Sequence, residues 1–141
     1  MQLTIIILAI IGILLSIYAY YIERKTRKNK HYHAVCDFNN TVSCTKAFSS
    51  KYGHTFGVSN SIGGIFFYFL ILILVILSIY NIYNLSSIII NSIFYLTIIS
   101  MIGSTYLAYA SYFKLKNFCM ICNAIYIINI LLVVFSYFWI W

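Results

Sequence analysis

Four cysteines are the residues of this chain best suited to chemistry, and their spacing sorts them into two pairs. Cys119-Met120-Ile121-Cys122 is a C-x-x-C at the start of the last hydrophobic stretch, and Cys36 and Cys44 lie in the only long polar stretch. A thiolate is the attacking species in disulfide exchange, and each exchange moves two electrons. Free N–H groups and the positive end of a helix dipole stabilise a thiolate at a helix start, with Asn117 as the expected N-cap. The i, i+3 spacing puts both sulfurs on one helix face. The arrangement predicts a dithiol relay that passes electrons from water into a bilayer. Cysteines also serve as small buried hydrophobes. A zinc site is the metal alternative; the wide Cys36–Cys44 spacing does not suit it, and no metal is expected.

Other polar residues gather near these pairs. Tyr126 shares the Cys119 and Cys122 face one turn deeper, where a phenol donates to a carbonyl ligand. Composition argues for a plainer role, since the chain has 14 tyrosines. Asn60 stands at the mouth of the second span, an expensive place for an amide without a partner; its plain role is a helix cap. Phe48 and Tyr52 are expected over the same mouth, where they stack on a flat ring or act as interfacial anchors. His31, His33 and His54 sit in polar, basic surroundings and read as solvated. Glu23 and Asp37 are the only acids and are too far apart to read as a paired carboxylate site. No Ser-His-Asp pattern, phosphate loop or dinucleotide fingerprint is present.

The elements that must position these groups follow from composition. Of 141 residues only 8% are charged, against about 25% in soluble domains, and mean hydropathy is +0.95. The solvent for such a surface is membrane lipid. Uncharged segments at about 3–22, 61–80, 88–113 and 119–141 are each near the length needed to span a bilayer, about 20 residues. The first lacks a basic leading region and a small-residue cleavage site, and reads as a retained helix rather than a signal peptide. Thr45–Ser50 reads as a short interfacial helix, Asn81–Ser87 as an uncharged turn and Lys114–Asn117 as the last link. Short links imply antiparallel neighbours. The expected fold is all-α: an integral membrane four-helix bundle, one domain over residues 1–141, with a cysteine-bearing loop (23–60) between helices 1 and 2. Ser100, Ser104 and Ala108 recur at i, i+4, i+8 with Gly103 beside them, a spacing that lets helices pack closely in lipid.

The formal net charge of +7 reads as juxtamembrane lysine and arginine, not as a nucleic-acid surface, because no soluble domain exists to carry one. Span parity puts all four cysteines and all nine basic residues on one side of the membrane. The positive-inside rule makes that side cytoplasmic, whereas disulfide chemistry belongs outside or in the endoplasmic reticulum lumen.

The motifs resemble those of the vitamin K epoxide reductase family. The matching pieces are Ala34-Val35-Cys36-Asp37, Ser43-Cys44 with Ala47-Phe48-Ser49-Ser50, Ser59-Asn60-Ser61-Ile62, Gly103-Ser104 with Tyr106-Leu107-Ala108, and Phe118-Cys119-Met120-Ile121-Cys122 with Tyr126 and Asn129. The resemblance runs in order from about Ser16 to about Ser136. It implies a four-helix bundle around a quinone pocket. It implies that Cys119 and Cys122 form the active disulfide, with Cys122 meeting the ring and Cys119 exchanging with the loop. It further implies that Cys36 and Cys44 carry electrons from a thioredoxin-like partner, that Asn60 and Tyr126 hydrogen-bond the quinone or epoxide oxygens, and that Phe48 covers the ring. The Gly57-Val58-Ser59 link is shorter than in the animal members and more like bacterial ones. Animal members also carry a basic run after the first span and face their cysteine loop to the lumen. Lumenal cysteines in the endoplasmic reticulum membrane are therefore expected in a eukaryote, and the inner membrane in a bacterium.

Two other readings compete. An unrelated bacterial type of quinone-linked membrane enzyme has its C-x-x-C early and its spaced pair late, the reverse of the order here. A non-enzymatic membrane scaffold, stapled by inert disulfides, is the alternative from a different class.

Overall fold

The computed structural model describes residues 1–55, 57–80 and 85–141. Four helices are long and apolar enough to cross a membrane. Helix α1 covers Gln2–Lys28 and a short α2 covers Cys44–Ser49. Helices α3 (Asn60–Ile79), α4 (Ser86–Tyr109) and α5 (Met120–Ile140) follow. A π-helical turn, Ala110–Lys114, prolongs α4. The first helix does not stop at Ile22 as expected. It continues through the basic run, because straight-chain lysine and arginine are good helix formers and their positive charges sit favourably at a helix C-terminus. Of the expected turn at Asn81–Ser87, residues 81–84 lie outside the described residues, and Ser86 opens α4.

A short hairpin precedes α3. His54–Thr55 (β1) and Val58–Ser59 (β2) pair antiparallel, with His54 opposite Ser59. Gly57 takes φ +78, a left-handed conformation that glycine adopts at little cost. This hairpin leads the chain straight into α3.

The buried face of α1 is a stripe: Ile5, Leu8, Ala9, Gly12, Ser16, Ala19, Ile22 and Glu23. It packs mainly on α3 and also on α5. Small residues on the stripe let the backbones approach. A Cβ on Gly12 would stand 2.6 Å from the Tyr68 ring, and one on Gly64 would stand 2.7 Å from Ser16 Oγ. Ile5, Leu8, Tyr68, Ile71, Val75, Ile93, Ile128 and Leu132 make the apolar core of the bundle. Tyr68 donates to Asn129 Oδ1 at 2.8 Å, and Asn129 donates in turn to Ser104. These bonds tie α3, α5 and α4 together, each worth about 0.6 kcal/mol in lipid by the measured average.

Candidate functional site

The four cysteines form two disulfides, Cys36–Cys44 and Cys119–Cys122. They occupy one apolar cluster: Cys44 and Cys119 are fully buried in it with Ala19, Ile22, Ala34, Ala47, Phe48 and Ile121, and Cys36 and Cys122 pack at its edge. Local backbone bonding explains the meeting. Val42 and Phe118 form a parallel bridge. Phe118 N–H donates to Thr41 O at 2.6 Å, and Ser43 N–H donates to Phe118 O at 3.1 Å. The chain thus brings the residues just before Cys44 alongside those just before Cys119.

Asn117 does not cap α5. The cap is Cys119, whose Sγ accepts from Cys122 N–H at 3.2 Å. Asn117 is buried instead: its amide donates to Ser43 O at 2.7 Å and accepts from Ser43 N–H at 3.1 Å. The link before it is tight. Lys116 adopts φ 48, rare for a residue with a side chain, and Ser111 donates to Asn117 O.

A mainly apolar cavity lies below this cluster. Cys122, Asn60, Tyr126, Phe48 and Tyr52 all line it, so every residue expected at a flat ligand meets in one place. Cys119 is fully buried and lies outside the wall. Leu107, Leu115 and Ile125 add apolar surface, and no charged side chain lines the cavity among the described residues. Asn60 is the first residue of α3 rather than its cap; Ser59 caps α3 by accepting from Ser61 N–H. Asn60 Nδ2 donates to Tyr52 O at 2.7 Å, which holds the amide at the mouth. The Tyr52 ring lies between two cations, Lys51 Nζ at 5.2 Å and Lys114 Nζ at 5.6 Å from its centre. That pairing anchors it at the rim.

Sequence reasoning missed three residues. Ser16 lines the cavity, is buried, and its Oγ has no hydrogen-bond partner among the described residues. Such an orphan is a ready contact for a ligand oxygen. A small polar residue inside an apolar α1 was the available signal. Asp37 is the hub of the cysteine loop. It accepts from Ser43 Oγ at 2.9 Å, Thr45 N–H at 3.0 Å, Ala34 N–H at 2.9 Å and the Thr45 hydroxyl. Burial alone would raise its carboxyl, but these bonds outweigh burial and hold it below the usual value. Glu23 is buried between α1 and the hairpin. His31 and His33 are exposed, as expected of solvated side chains, whereas His54 meets Glu23.

The arrangement has a chemical direction. A partly exposed sulfur, Cys36, is bonded to a buried one, Cys44; a second buried sulfur, Cys119, is bonded to one at the cavity, Cys122. No group of three or more metal-ligating His, Cys, Asp or Glu side chains occurs among the described residues.

Comparison with known proteins agrees with the motifs. The family model described as "Vitamin K epoxide reductase family" matches residues 3–137. The chain is 32% identical over 143 aligned positions to vitamin K epoxide reductase complex subunit 1 of Mus musculus, covering 92% of this chain and 84% of the relative. The Rattus norvegicus subunit 1 is similar to the same extent, 32% identical with the same coverage.

Proposed function

The chain belongs to the vitamin K epoxide reductase family, and from that premise we propose that it is an integral membrane thiol–disulfide oxidoreductase that oxidises a dithiol and reduces a quinone or vitamin K epoxide. The observation that carries the reading is the opening of Cys122 into an apolar cavity while Cys119 is buried beside Cys44. Family membership in an oxidoreductase sets the inert scaffold aside.

The steps balance as follows. A thioredoxin-fold partner donates two electrons to Cys36–Cys44, giving two thiols. The Cys44 thiolate attacks Cys119 Sγ, breaking the Cys119–Cys122 bond and freeing the Cys122 thiolate. Cys36 then attacks Cys44, releasing Cys119 and restoring the loop disulfide. The Cys122 thiolate adds to a ring carbon of the quinone. Cys119 attacks Cys122 Sγ, the carbon–sulfur bond breaks, and its electron pair stays on the ring. Two protons complete the hydroquinone; with an epoxide, the oxygen leaves as water.

The remaining residues serve this sequence. Asn60, Tyr126 and Ser16 offer hydrogen bonds to the ring oxygens inside an apolar wall, where such bonds are stronger than in water. Phe48 and Tyr52 face the ring. The carbonyl-polarising donors are neutral, so the charge that develops on the ring is met by aligned dipoles. The natural membrane is the endoplasmic reticulum, with the cysteine side lumenal, if the host is a eukaryote.

Turnover in detergent with a small dithiol tests the reading, with vitamin K epoxide and the parent quinone offered in parallel and Cys122→Ala as control. Reduction of both places the protein with enzymes that recycle the vitamin. Reduction of quinone alone makes it a disulfide-forming oxidase. Cysteine-independent or absent reduction of both overturns the proposal.

A further inference from the structure

Glu23 is a buried acid, its side chain 5% exposed, one residue past the apolar stripe of α1. A buried carboxylate is costly unless it is fully paired. Here its two oxygens look in different directions. Oε1 meets His54 Nε2 and the Arg27 guanidinium, both at 2.9 Å. Oε2 accepts from the Ser59 hydroxyl and, at 3.3 Å, from the Ser61 hydroxyl. Ser61 also lines the cavity that holds Cys122. At the other end, the His54 side chain is 29% exposed and opens on a surface crevice. The groups therefore form a continuous hydrogen-bonded path from water through His54, Glu23 and Ser61 to the cavity.

We infer that Glu23 and His54 deliver protons through Ser61 to the ring oxygen of the quinone. The inference rests on the proposed reaction, in which the reduced ring needs two protons that its apolar pocket does not supply. Imidazole is suited to exchanging protons with water near neutral pH. A proton on His54 passes to Glu23 Oε1, a half-turn of the neutral carboxyl about its Cγ–Cδ bond brings the protonated oxygen to Ser61, and that oxygen donates to the Ser61 hydroxyl in place of accepting from it. The Ser61 hydroxyl is then free to donate into the cavity. The ring oxygen gains one proton, His54 is reprotonated from water, and the thiol protons lost at Cys119 and Cys122 keep the overall reaction balanced. The charged groups facing Glu23 are Arg27 from its own helix and His54 from β1. Lys30, in the chain just beyond α1, lines the same crevice, and no second carboxylate does among the described residues. Arg27 also contacts His54 Nε2, so the unprotonated ring has a donor to accept from and the protonated ring has the carboxylate.

The test is steady-state quinone reduction by the full chain in detergent with excess small dithiol, across pH and in light and heavy water. Glu23→Gln keeps the shape and loses the proton. It is expected to lower kcat about 10²-fold, the scale of general acid catalysis, with KM within about twofold and a larger solvent isotope effect. Glu23→Asp is expected to recover much of the loss, and His54→Gln to flatten the pH dependence of kcat. Wild-type kcat in Glu23→Gln overturns the route. So does a loss with an unchanged isotope effect and no recovery by aspartate, which marks a purely structural latch. If Glu23→Gln fails to fold, His54→Gln decides, and an unaltered pH profile overturns the route. Failure of the wild type to show Cys122-dependent turnover sinks the reaction itself and the route with it. Wild-type turnover beside an unaffected Glu23→Gln sinks the route alone.

Discussion

Asn117 and Ser43, 74 residues apart in the chain, exchange two hydrogen bonds through one buried amide. Ser43 immediately precedes Cys44, and Asn117 stands two residues before Cys119. The contact is therefore a clasp that sets the separation of the two disulfides. Asn117→Ala leaves Ser43 O without this donor, and a buried unpaired group costs about 1–3 kcal/mol. The expected result is a lower thermal midpoint in detergent and a larger loss of turnover with a protein dithiol than with a small one. Equal losses with both reductants would reduce the clasp to a stability element.

The order of the cysteines predicts an asymmetry. Cys122→Ala removes the sulfur at the cavity and should abolish turnover with every reductant. Cys36→Ala and Cys44→Ala should block a thioredoxin-fold partner yet spare a small dithiol that reaches the Cys119–Cys122 pair directly. Parallel assays with the two reductant types check this, and equal losses in the loop variants refute the relay.

Tyr126 lines the cavity on the same helix as Cys122, one turn deeper. If its hydroxyl donates to a ring oxygen, Tyr126→Phe should weaken substrate binding by about 1–3 kcal/mol, because the oxygen loses its donor in an apolar wall. The Michaelis constant for quinone should rise while the thermal midpoint stays near the wild type. An unchanged Michaelis constant takes Tyr126 out of the recognition set.

Much of this was legible from spacing. C-x-x-C and a deeper tyrosine at i+4 concern neighbours on one helix, where the period of 3.6 residues fixes the geometry, and the amide at a span mouth is marked by its place at the edge of an uncharged segment. What failed was non-local. Asn117 has the composition of a helix cap, and only the loop segment Thr41–Ser43, distant in the chain, diverts it to another task. Glu23 reads as part of a solvated basic run, since nothing local announces that the β1–β2 hairpin folds over it. The end of α1 was misjudged for a related reason: hydropathy reports where lipid stops, and the helix continues to Lys28 in water.

Asp37 predicts how the cysteine loop responds to acid. Four hydrogen bonds favour its charged form and keep its carboxyl below the ordinary value despite burial. A carboxyl depressed in the folded state contributes stability that is fully present above its unfolded value, about 3.9, and is lost as pH falls through the folded one. The loop should therefore hold Cys36–Cys44 equally well from neutral pH down to about 5, and loosen only below about 4. Rates of protease cleavage between Ala34 and Thr45, followed against pH, measure this. Asp37→Asn should raise cleavage at neutral pH and abolish the acid limb. The neutral amide accepts fewer bonds from Ser43, Thr45 and Ala34, and it has no proton to gain. A wild-type loop that loosens already between pH 7 and 5, where Asp37 keeps its charge, would refute the carboxylate hub.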